Sequence, residues 1–180
     1  MTKPWKTLEQ TVLLDRWWMT LREDRVELPD GEILPEFHVI EYPDWALTIP
    51  LTRDGRIVMV EQYRYGIDEV GLEFPAGAMS DGEDPEAAAR REMLEETGYD
   101  AEEWISIGTC APEPSKHTNT AHLYLARGSH NVAEPDLDTT ENITVHEIDI
   151  DRVLHLVKAG KLNHGIHLTA LFWAMEEGLI

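Results

Sequence analysis

The apolar positions of the first half of the chain predict β-strands: residues 11–21 are rich in Val, Leu, Trp and Thr, and Val58 and Val60 alternate with Met59 and Glu61, a period of two. Two turn sequences, Pro29-Asp30-Gly31 and Arg53-Asp54-Gly55, would each join a pair of antiparallel strands. The adjacent Trp17 and Trp18 are placed within the first strand, where neighbouring side chains face opposite ways. The predicted strands cover 11–21, 25–28, 32–40, 45–51 and 56–63, followed by a short extended piece at 72–75.

The clearest helix is predicted between Pro85 and Thr97, because both of its ends carry recognisable signals. Asp84 is a suitable N-cap, Pro85 suits the first helical position, and Gly98 permits a left-handed end. Strands and helices mix without a regular β-α-β alternation, which predicts an α/β sandwich. The further expected strands are 104–110, 122–126 and 143–148, and the further helices are 151–159 and 164–177.

Three glutamates, Glu92, Glu95 and Glu96, occupy the last turns of that helix and fall within an arc of about 100°. Like charges three and four residues apart destabilise a helix, and anions near its C-terminus oppose the helix dipole. A solvated acidic face is the simplest interpretation of such a cluster. A bound cation is the alternative, and oxygen ligands at this density suit Mg²⁺ or Mn²⁺ rather than Zn²⁺.

The spacing around these glutamates forms a longer motif. Five residues separate Gly77 from Glu83, and seven more lead to Arg91-Glu92-Met93-Leu94-Glu95-Glu96-Thr97-Gly98-Tyr99. This pattern resembles the Nudix box in every defining position. The resemblance implies an α/β/α sandwich fold and Mg²⁺-dependent cleavage of a diphosphate linked to another moiety.

The resemblance also assigns roles within the motif. Glu92 and Glu96 match the positions that bind the catalytic metal. Glu95 matches a position that assists the metal or the water, and Arg91 matches one that braces the glutamates. A metal-dependent hydrolase is therefore expected, with Mg²⁺ as its cofactor or Mn²⁺ in its place.

Two segments before the motif resemble the ADP-ribose pyrophosphatase and nucleotide-sugar branch of that family. This resemblance implies that Arg64 contacts the diphosphate and that the backbone carbonyl of Ala76 binds metal. An ordinary surface ion pair with Glu61 or Glu73 is the alternative for Arg64. The two segments are Glu61-Gln62-Tyr63-Arg64-Tyr65-Gly66 and Leu72-Glu73-Phe74-Pro75-Ala76-Gly77.

A carboxylate outside the motif is expected to complete the chemistry. Because the glutamates of the motif would be occupied with metal, the attacking water needs another group to take its proton. The resemblance places this general base, or a further metal ligand, at Glu141, in an acidic loop before the predicted strand 143–148. Asp138 in the same loop is the competing choice, and one more acidic surface residue is the alternative interpretation.

Two departures from enzymes dedicated to ADP-ribose widen the expected substrate to nucleoside diphosphate sugars. Phe37 and His38 lie where those relatives often carry an arginine, and the loop 112–119 replaces their Pro-Ser-Pro-Gly loop. Ser115 in this loop and Trp18, which could stack on a base, are the remaining predicted substrate contacts. Packing in the core or in a dimer is the alternative for Trp18.

Charge limits the range of partners. The 180 residues include 15 Lys and Arg against 35 Asp and Glu, which gives a formal net charge of −20. Such a surface repels phosphate backbones and anionic lipids, so neither nucleic acid nor a membrane is an expected partner.

The lone Cys110 suits a reducing compartment, and the N-terminus carries no signal peptide pattern, so a cytoplasmic protein is expected.

The chain is long enough for one domain with an appended arm. Residues 1–40 are predicted to form an N-terminal β arm, and residues 41–180 the Nudix hydrolase domain. Apolar side chains of the arm would be exposed on a monomer, which favours a homodimer. These side chains are Trp5, Val12, Leu13, Leu14, Trp17 and Trp18.

Two other functions stay open at this level. A non-catalytic ADP-ribose sensor could use the same fold, although such modules tend to lose the glutamates of the motif. An enzyme that removes oxidised nucleoside triphosphates could also carry the motif. The segments before the motif and the N-terminal arm favour nucleotide sugars over triphosphates.

Overall fold

The computed structural model describes residues 2–139 and 141–180, and the chain divides into two compact units. The first unit contains the residues up to Pro43 together with Ala111–Thr120. The second contains Asp44–Cys110 and Ala121–Ile180. A loop inserted in the sequence of the second unit therefore belongs to the first.

The first unit is built on a three-stranded antiparallel sheet with the order β1-β2-β3. The predicted turn at residues 29–31 joins β2 to β3, and Gly31 adopts a φ of 89° there. That hairpin of the sequence analysis is confirmed. The strands are β1 (Lys6–Arg16), β2 (Met19–Glu27) and β3 (Ile33–Glu41).

The prediction that Trp17 and Trp18 lie within a strand is wrong. Both residues form the turn between β1 and β2, so the single strand expected at 11–21 is two strands. The turn position leaves Trp17 93% exposed and Trp18 45% exposed. The turn contains no Gly, Asn or Pro, so the sequence carries none of the usual turn signals at this point.

The second unit contains an eight-stranded mixed sheet. Its main path has the order β11-β5-β4-β10-β8, while β6 pairs with β5, β7 with β4 and β9 with β10. The pairing of β4 with β10 is parallel, and the other pairings are antiparallel. The strands are β4 (Trp45–Thr52), β5 (Arg56–Arg64), β6 (Glu69–Glu73), β7 (Ala76–Ala78), β8 (Tyr99–Asp100), β9 (Glu103–Cys110), β10 (Ala121–Asn131) and β11 (Thr144–Asp149).

Three helices accompany this sheet, and the first has the predicted ends. The side chain of Asp84 accepts a hydrogen bond from the backbone N–H of Ala87 over 3.1 Å, as an N-cap does. Gly98 ends the helix with a φ of 74°, and its N–H donates to the carbonyl of Leu94. The helices are α1 (Pro85–Thr97), α2 (Ile150–Lys158) and α3 (Gly165–Glu176).

The core lies on both faces of the sheet, because alternate residues of each central strand point to opposite sides. One set packs with α2 and α3 and comprises Leu47, Ile49, Ile57, Met59, Leu123 and Leu125. The alternate set packs near α1 and comprises Ala46, Val58, Tyr124 and Ala126. The sheet is thus covered by helices on both faces, which confirms the α/β/α sandwich.

Among the residues described, none of the helices has the length and apolar character needed to cross a membrane.

Candidate active site

Helix α1 carries its glutamates to the edge of strand β7. Ala88 and Ala89 are buried and small, so α1 approaches the sheet closely. At the end of the helix, Oε2 of Glu96 accepts a hydrogen bond from the backbone N–H of Ala76 over 3.0 Å. A Cβ atom at Gly77 would overlap the carboxylate of Glu92, so any other residue here would displace that carboxylate.

Two of these carboxylates are withdrawn from water. Glu96 is 3% exposed, and burial, followed by the nearby charges of Glu92 and Glu141, raises its pKa to about 8. Burial also raises the pKa of Glu92, to which the charges of Glu95 and Glu141 contribute. Buried carboxylates that disfavour each other's ionisation are suited to a divalent cation, since oxygen ligands are those that Mg²⁺ prefers.

Arg91 links the acidic side chains of the motif. Its guanidinium donates to Glu83 over 2.9 and 3.0 Å, to Oε1 of Glu92 over 2.7 Å and to Oε2 of Glu95 over 3.0 Å. A further N–H group donates to the backbone carbonyl of Ala78 over 3.2 Å. One side chain therefore connects the loop before α1, the helix itself and strand β7. Glu83, which was only a spacing marker in the sequence, is the partner that anchors it.

A cavity of about 520 Å³ lies beside these groups. Four of the residues singled out in the sequence line it, although they come from separate segments of the second unit. These four are Arg64, Ala76, Glu96 and Glu141.

Glu141 reaches this cavity from the acidic loop before β11. Its Oε2 accepts a hydrogen bond from the backbone N–H of Asp138 over 2.9 Å, and its own N–H donates to the carbonyl of Asp138. The backbone N–H of Asp136 donates to the carbonyl of Glu95, which fastens the loop to the end of α1. The side chain of Asp138 is exposed and is not among those that line the cavity. Thr140 lies outside the described residues.

Arg64 forms an ion pair and lines the cavity as well. Its Nε donates to Oε1 of Glu73 over 3.0 Å, and its Nη2 donates to Oε2 over 2.6 Å. Glu61, the other proposed partner, instead contacts the ring of His146 over 2.9 Å. The ion-pair alternative for Arg64 is thus present in the structure, and Arg64 lines the cavity at the same time.

Two histidines beside the cavity were missed in the sequence. His164 and His167 both line it, and their rings lie 4.4 Å apart between centroids. Each places a ring nitrogen 3.7 Å from Oε2 of Glu73. The i, i+3 spacing of the two histidines at the start of a predicted helix was the available signal, because such residues share a helix face.

The group formed by Glu73, His164 and His167 has the spacing of a metal site but not its protonation. The backbone N–H of Phe74 donates to Nδ1 of His167, so the neutral ring carries its proton on Nε2. Burial lowers the pKa of His167 to about 3, which keeps the ring neutral. A protonated Nε2 cannot ligate a metal, and Glu73 is already occupied by Arg64.

The remaining predicted contacts lie in the first unit. Ser115 donates through its backbone N–H and its hydroxyl to the carboxylate of Glu113. Trp18 lies in the turn between β1 and β2. The substrate-binding roles of Ser115 and Trp18 stay predictions.

The comparisons with known proteins define the class of this chain. Residues 42–166 match the NUDIX domain, so the chain belongs to the Nudix family and is a Nudix hydrolase. Residues 5–40 match the nucleoside diphosphate sugar hydrolase N-terminal domain, which places the chain in the nucleotide-sugar branch.

Relatives of known name agree with this placement. An ADP-ribose pyrophosphatase of Bacillus subtilis (strain 168) is 30% identical over 86% of this chain and 83% of its own. A methanol dehydrogenase activator of Bacillus methanolicus is 33% identical over 87% of this chain and 85% of its own. A GDP-mannose pyrophosphatase of Salmonella arizonae is 30% identical over 88% and 89% of the two chains.

A solved structure shares the fold. The crystal structure of an ADP compounds hydrolase superposes with a TM-score of 0.85, covering 98% of this chain and 95% of that chain. The sequence identity is 18%, so this likeness bears on the fold alone.

Proposed function

We propose that the protein hydrolyses the diphosphate bond of a nucleoside diphosphate sugar, releasing a nucleoside monophosphate and a sugar phosphate. The observation that most directly supports this proposal is that one cavity is lined by Arg64, Ala76, Glu96 and Glu141. ADP-ribose and GDP-mannose are the first substrates to test, because they appear in the names of two relatives.

Glu92, Glu96 and the carbonyl of Ala76 would hold the divalent cation, for which we propose Mg²⁺, with Mn²⁺ able to replace it. The hydrogen bond from Ala76 to Glu96 and the close approach of Gly77 to Glu92 support this set. The ion, when bound, polarises phosphoryl oxygens and lowers the pKa of a bound water. Arg91 holds Glu92 and Glu95 in place through direct hydrogen bonds.

Glu141 would take the proton of the attacking water, or serve as a further metal ligand. Its place on the cavity wall supports this choice over Asp138. Arg64 would bind the diphosphate, since a guanidinium presents a planar set of donors to phosphate oxygens. Glu95, 43% exposed at its side chain, would assist the metal or the water.

A substrate panel tests the proposed reaction. The protein is incubated with ADP-ribose, GDP-mannose and UDP-glucose in Mg²⁺, and a phosphatase then releases phosphate only from the monoester products. We expect phosphate release with at least one nucleotide sugar and none after addition of EDTA. Tight binding of ADP-ribose without release would favour the sensor. Faster formation of nucleoside monophosphate from nucleoside triphosphates, measured without the phosphatase, would favour the triphosphate enzyme.

We also infer a homodimer that forms through the first unit. Trp17, Val12 and Leu13 are 93%, 59% and 49% exposed, so this hairpin leaves several large apolar side chains open to water. A reducing compartment such as the cytoplasm is our proposal for its location, supported by the free thiol of Cys110.

A further inference from the structure

We propose that Glu73 and His167 are positioning residues for Arg64, holding its guanidinium so that one edge stays available to the diphosphate. This inference rests on the proposed function, in which Arg64 is the diphosphate contact. It also gives a role to the Glu73 and His167 side chains, which the metal site and the general base leave unused.

The contact between Arg64 and Glu73 fixes the guanidinium along one edge. Nε and Nη2 donate to the two carboxylate oxygens, which is the side-on, two-pronged arrangement that gives geometric specificity. Within the described residues, Nη1 has no hydrogen-bond partner, so the opposite edge keeps donors for a ligand. Arg64 pairs with Glu69 in the β5–β6 register, while Glu73 pairs with Val60, so the contact is made by the side chains and not by neighbouring strand positions. Arg64 itself lines the cavity.

Glu73 is itself held from the side of α3. His167 is 1% exposed, and its Nδ1 accepts the backbone N–H of Phe74 over 3.0 Å. The proton on Nε2 therefore points away from Phe74, and Oε2 of Glu73 lies 3.7 Å from that nitrogen. Nε2 has no hydrogen-bond partner in the part of the chain that the structure describes. The carboxylate that binds Arg64 therefore faces this buried donor from just beyond hydrogen-bond distance, and the interaction between the two is electrostatic.

The charge of Glu73 is preserved by these neighbours. Burial alone would raise its pKa, but the nearby His164 ring and the hydrogen bonds from Arg64 hold the pKa well below its usual range. The carboxylate is therefore ionised at neutral pH and remains hydrogen-bonded to the guanidinium of Arg64. A buried ion pair adds little net stability compared with apolar packing, so positioning is the stronger reason for this arrangement.

Holding Arg64 lowers the cost of substrate binding. A free arginine side chain loses rotamer freedom when it binds, at a cost that reduces affinity. A guanidinium already fixed by Glu73 has lost that freedom before the diphosphate arrives. The expected consequence of releasing it is a higher KM with little change in kcat, because the contact to phosphate is made in both the ground state and the transition state.

A double-mutant cycle tests the proposal on the intact protein with ADP-ribose or the best substrate of the panel. Glu73→Gln keeps the shape but removes the charge, and His167→Asn keeps an acceptor for Phe74 while removing the Nε2 donor. We expect Glu73→Gln to raise KM by about tenfold, the scale of one lost charge-assisted hydrogen bond, and His167→Asn to raise it less. In the Arg64→Ala background, both substitutions should have little further effect on KM.

Each outcome separates the two proposals. His155→Asn, on the exposed side of α2, controls for the loss of a histidine, and thermal melting checks that each variant folds.

If Arg64→Ala raises KM but Glu73→Gln does not, the positioning role is wrong and the proposed function stands. An equal effect of Glu73→Gln with and without Arg64 also overturns the positioning role. An unchanged KM in Arg64→Ala overturns both the diphosphate contact and the positioning role, while the panel still tests hydrolysis. If His167→Asn does not fold, the KM of Glu73→Gln with and without Arg64 tests the positioning role.

Discussion

The backbone N–H of Ala76 donates a hydrogen bond to Oε2 of Glu96 over 3.0 Å. These residues are separated by 20 positions in the chain, and the bond joins strand β7 to the last turn of α1. It joins a buried carboxylate to the residue whose carbonyl we propose as a second metal ligand. The bond also explains how a glutamate can be buried at the end of a helix whose dipole disfavours it.

Removal of the charge of Glu96 should abolish activity without harming the metal-free fold. We expect Glu96→Gln to lower kcat by about a thousandfold or more, because a metal-ligand charge is lost. The raised pKa of Glu96 means that its ionised form destabilises the folded protein at neutral pH, so stability in EDTA should hold or rise. Kinetics and thermal melting measure the two effects. Glu86→Gln, in the first turn of the same helix, is the matched control, and unchanged kcat in Glu96→Gln would reject the assignment.

A side chain at Gly77, the first residue of the motif, should disturb the proposed metal site. In Gly77→Ala the added methyl group would displace the Glu92 carboxylate. Because the displaced atoms are the end of a flexible side chain, we expect little loss of stability but at least a tenfold loss of kcat/KM, since Glu92 is a proposed metal ligand. Gly71→Ala is the control, since a methyl group there meets no atom within 4 Å. Equal behaviour of the two variants would show that the contact with Glu92 is not required.

Glu141 and Asp138 should differ in their effect on turnover. Glu141→Gln should lower kcat by about 10²-fold with little change in KM, the scale of a lost general base. Asp138→Asn should have a small effect, because its backbone N–H, rather than its side chain, contacts Glu141. Steady-state kinetics of both variants decides between them. A loss confined to Asp138→Asn would identify the other carboxylate as the base.

Glu73 should make the protein sensitive to acid. Its folded-state pKa is lowered, so its stabilising contribution is present above the unfolded-state pKa of about 4.3 and is lost as the pH falls through the folded-state value. Wild-type protein should therefore lose stability more steeply than Glu73→Gln below that pH. Urea unfolding across the acid range measures this, with the exposed Glu69→Gln as control. Parallel curves for wild type and Glu73→Gln would contradict the prediction.

The apolar hairpin of the first unit should hold two copies together. Sedimentation at micromolar concentration is expected to give about twice the chain mass of 20.5 kDa. Trp17→Glu should shift the mass toward the monomer, because a charge on an exposed apolar surface disfavours its burial. Phe172→Glu, which alters an exposed aromatic residue of α3, is the control. A wild-type mass near 20.5 kDa would reject the dimer.

Local signals in the sequence were enough to locate α1 and its chemistry. Asp84, Pro85 and Gly98 define the ends of the helix through bonds between near neighbours, and the structure has the same ends. The spacing from Gly77 to Glu96 lies within one continuous segment, so the motif and the family were readable without coordinates. The turn at Trp17 and Trp18 could not be predicted from the sequence, because it lacks the residues that normally mark a turn.

The tertiary structure decided what surrounds Arg64. Its partner Glu73 was one of two candidates in the sequence. In the register of β5 with β6, Arg64 pairs with Glu69 and Glu73 pairs with Val60, so strand pairing alone does not place the two residues side by side. Their contact depends on the course of the two side chains in the folded protein. His167 reaches Phe74 across 93 positions of the chain, a contact that depends on how α3 packs on the sheet. Sequence by itself determined the helix, the motif and the class of reaction, since these depend on neighbouring residues. Contacts between distant segments depend on the pairing of strands and the packing of helices, so only the folded chain could decide them.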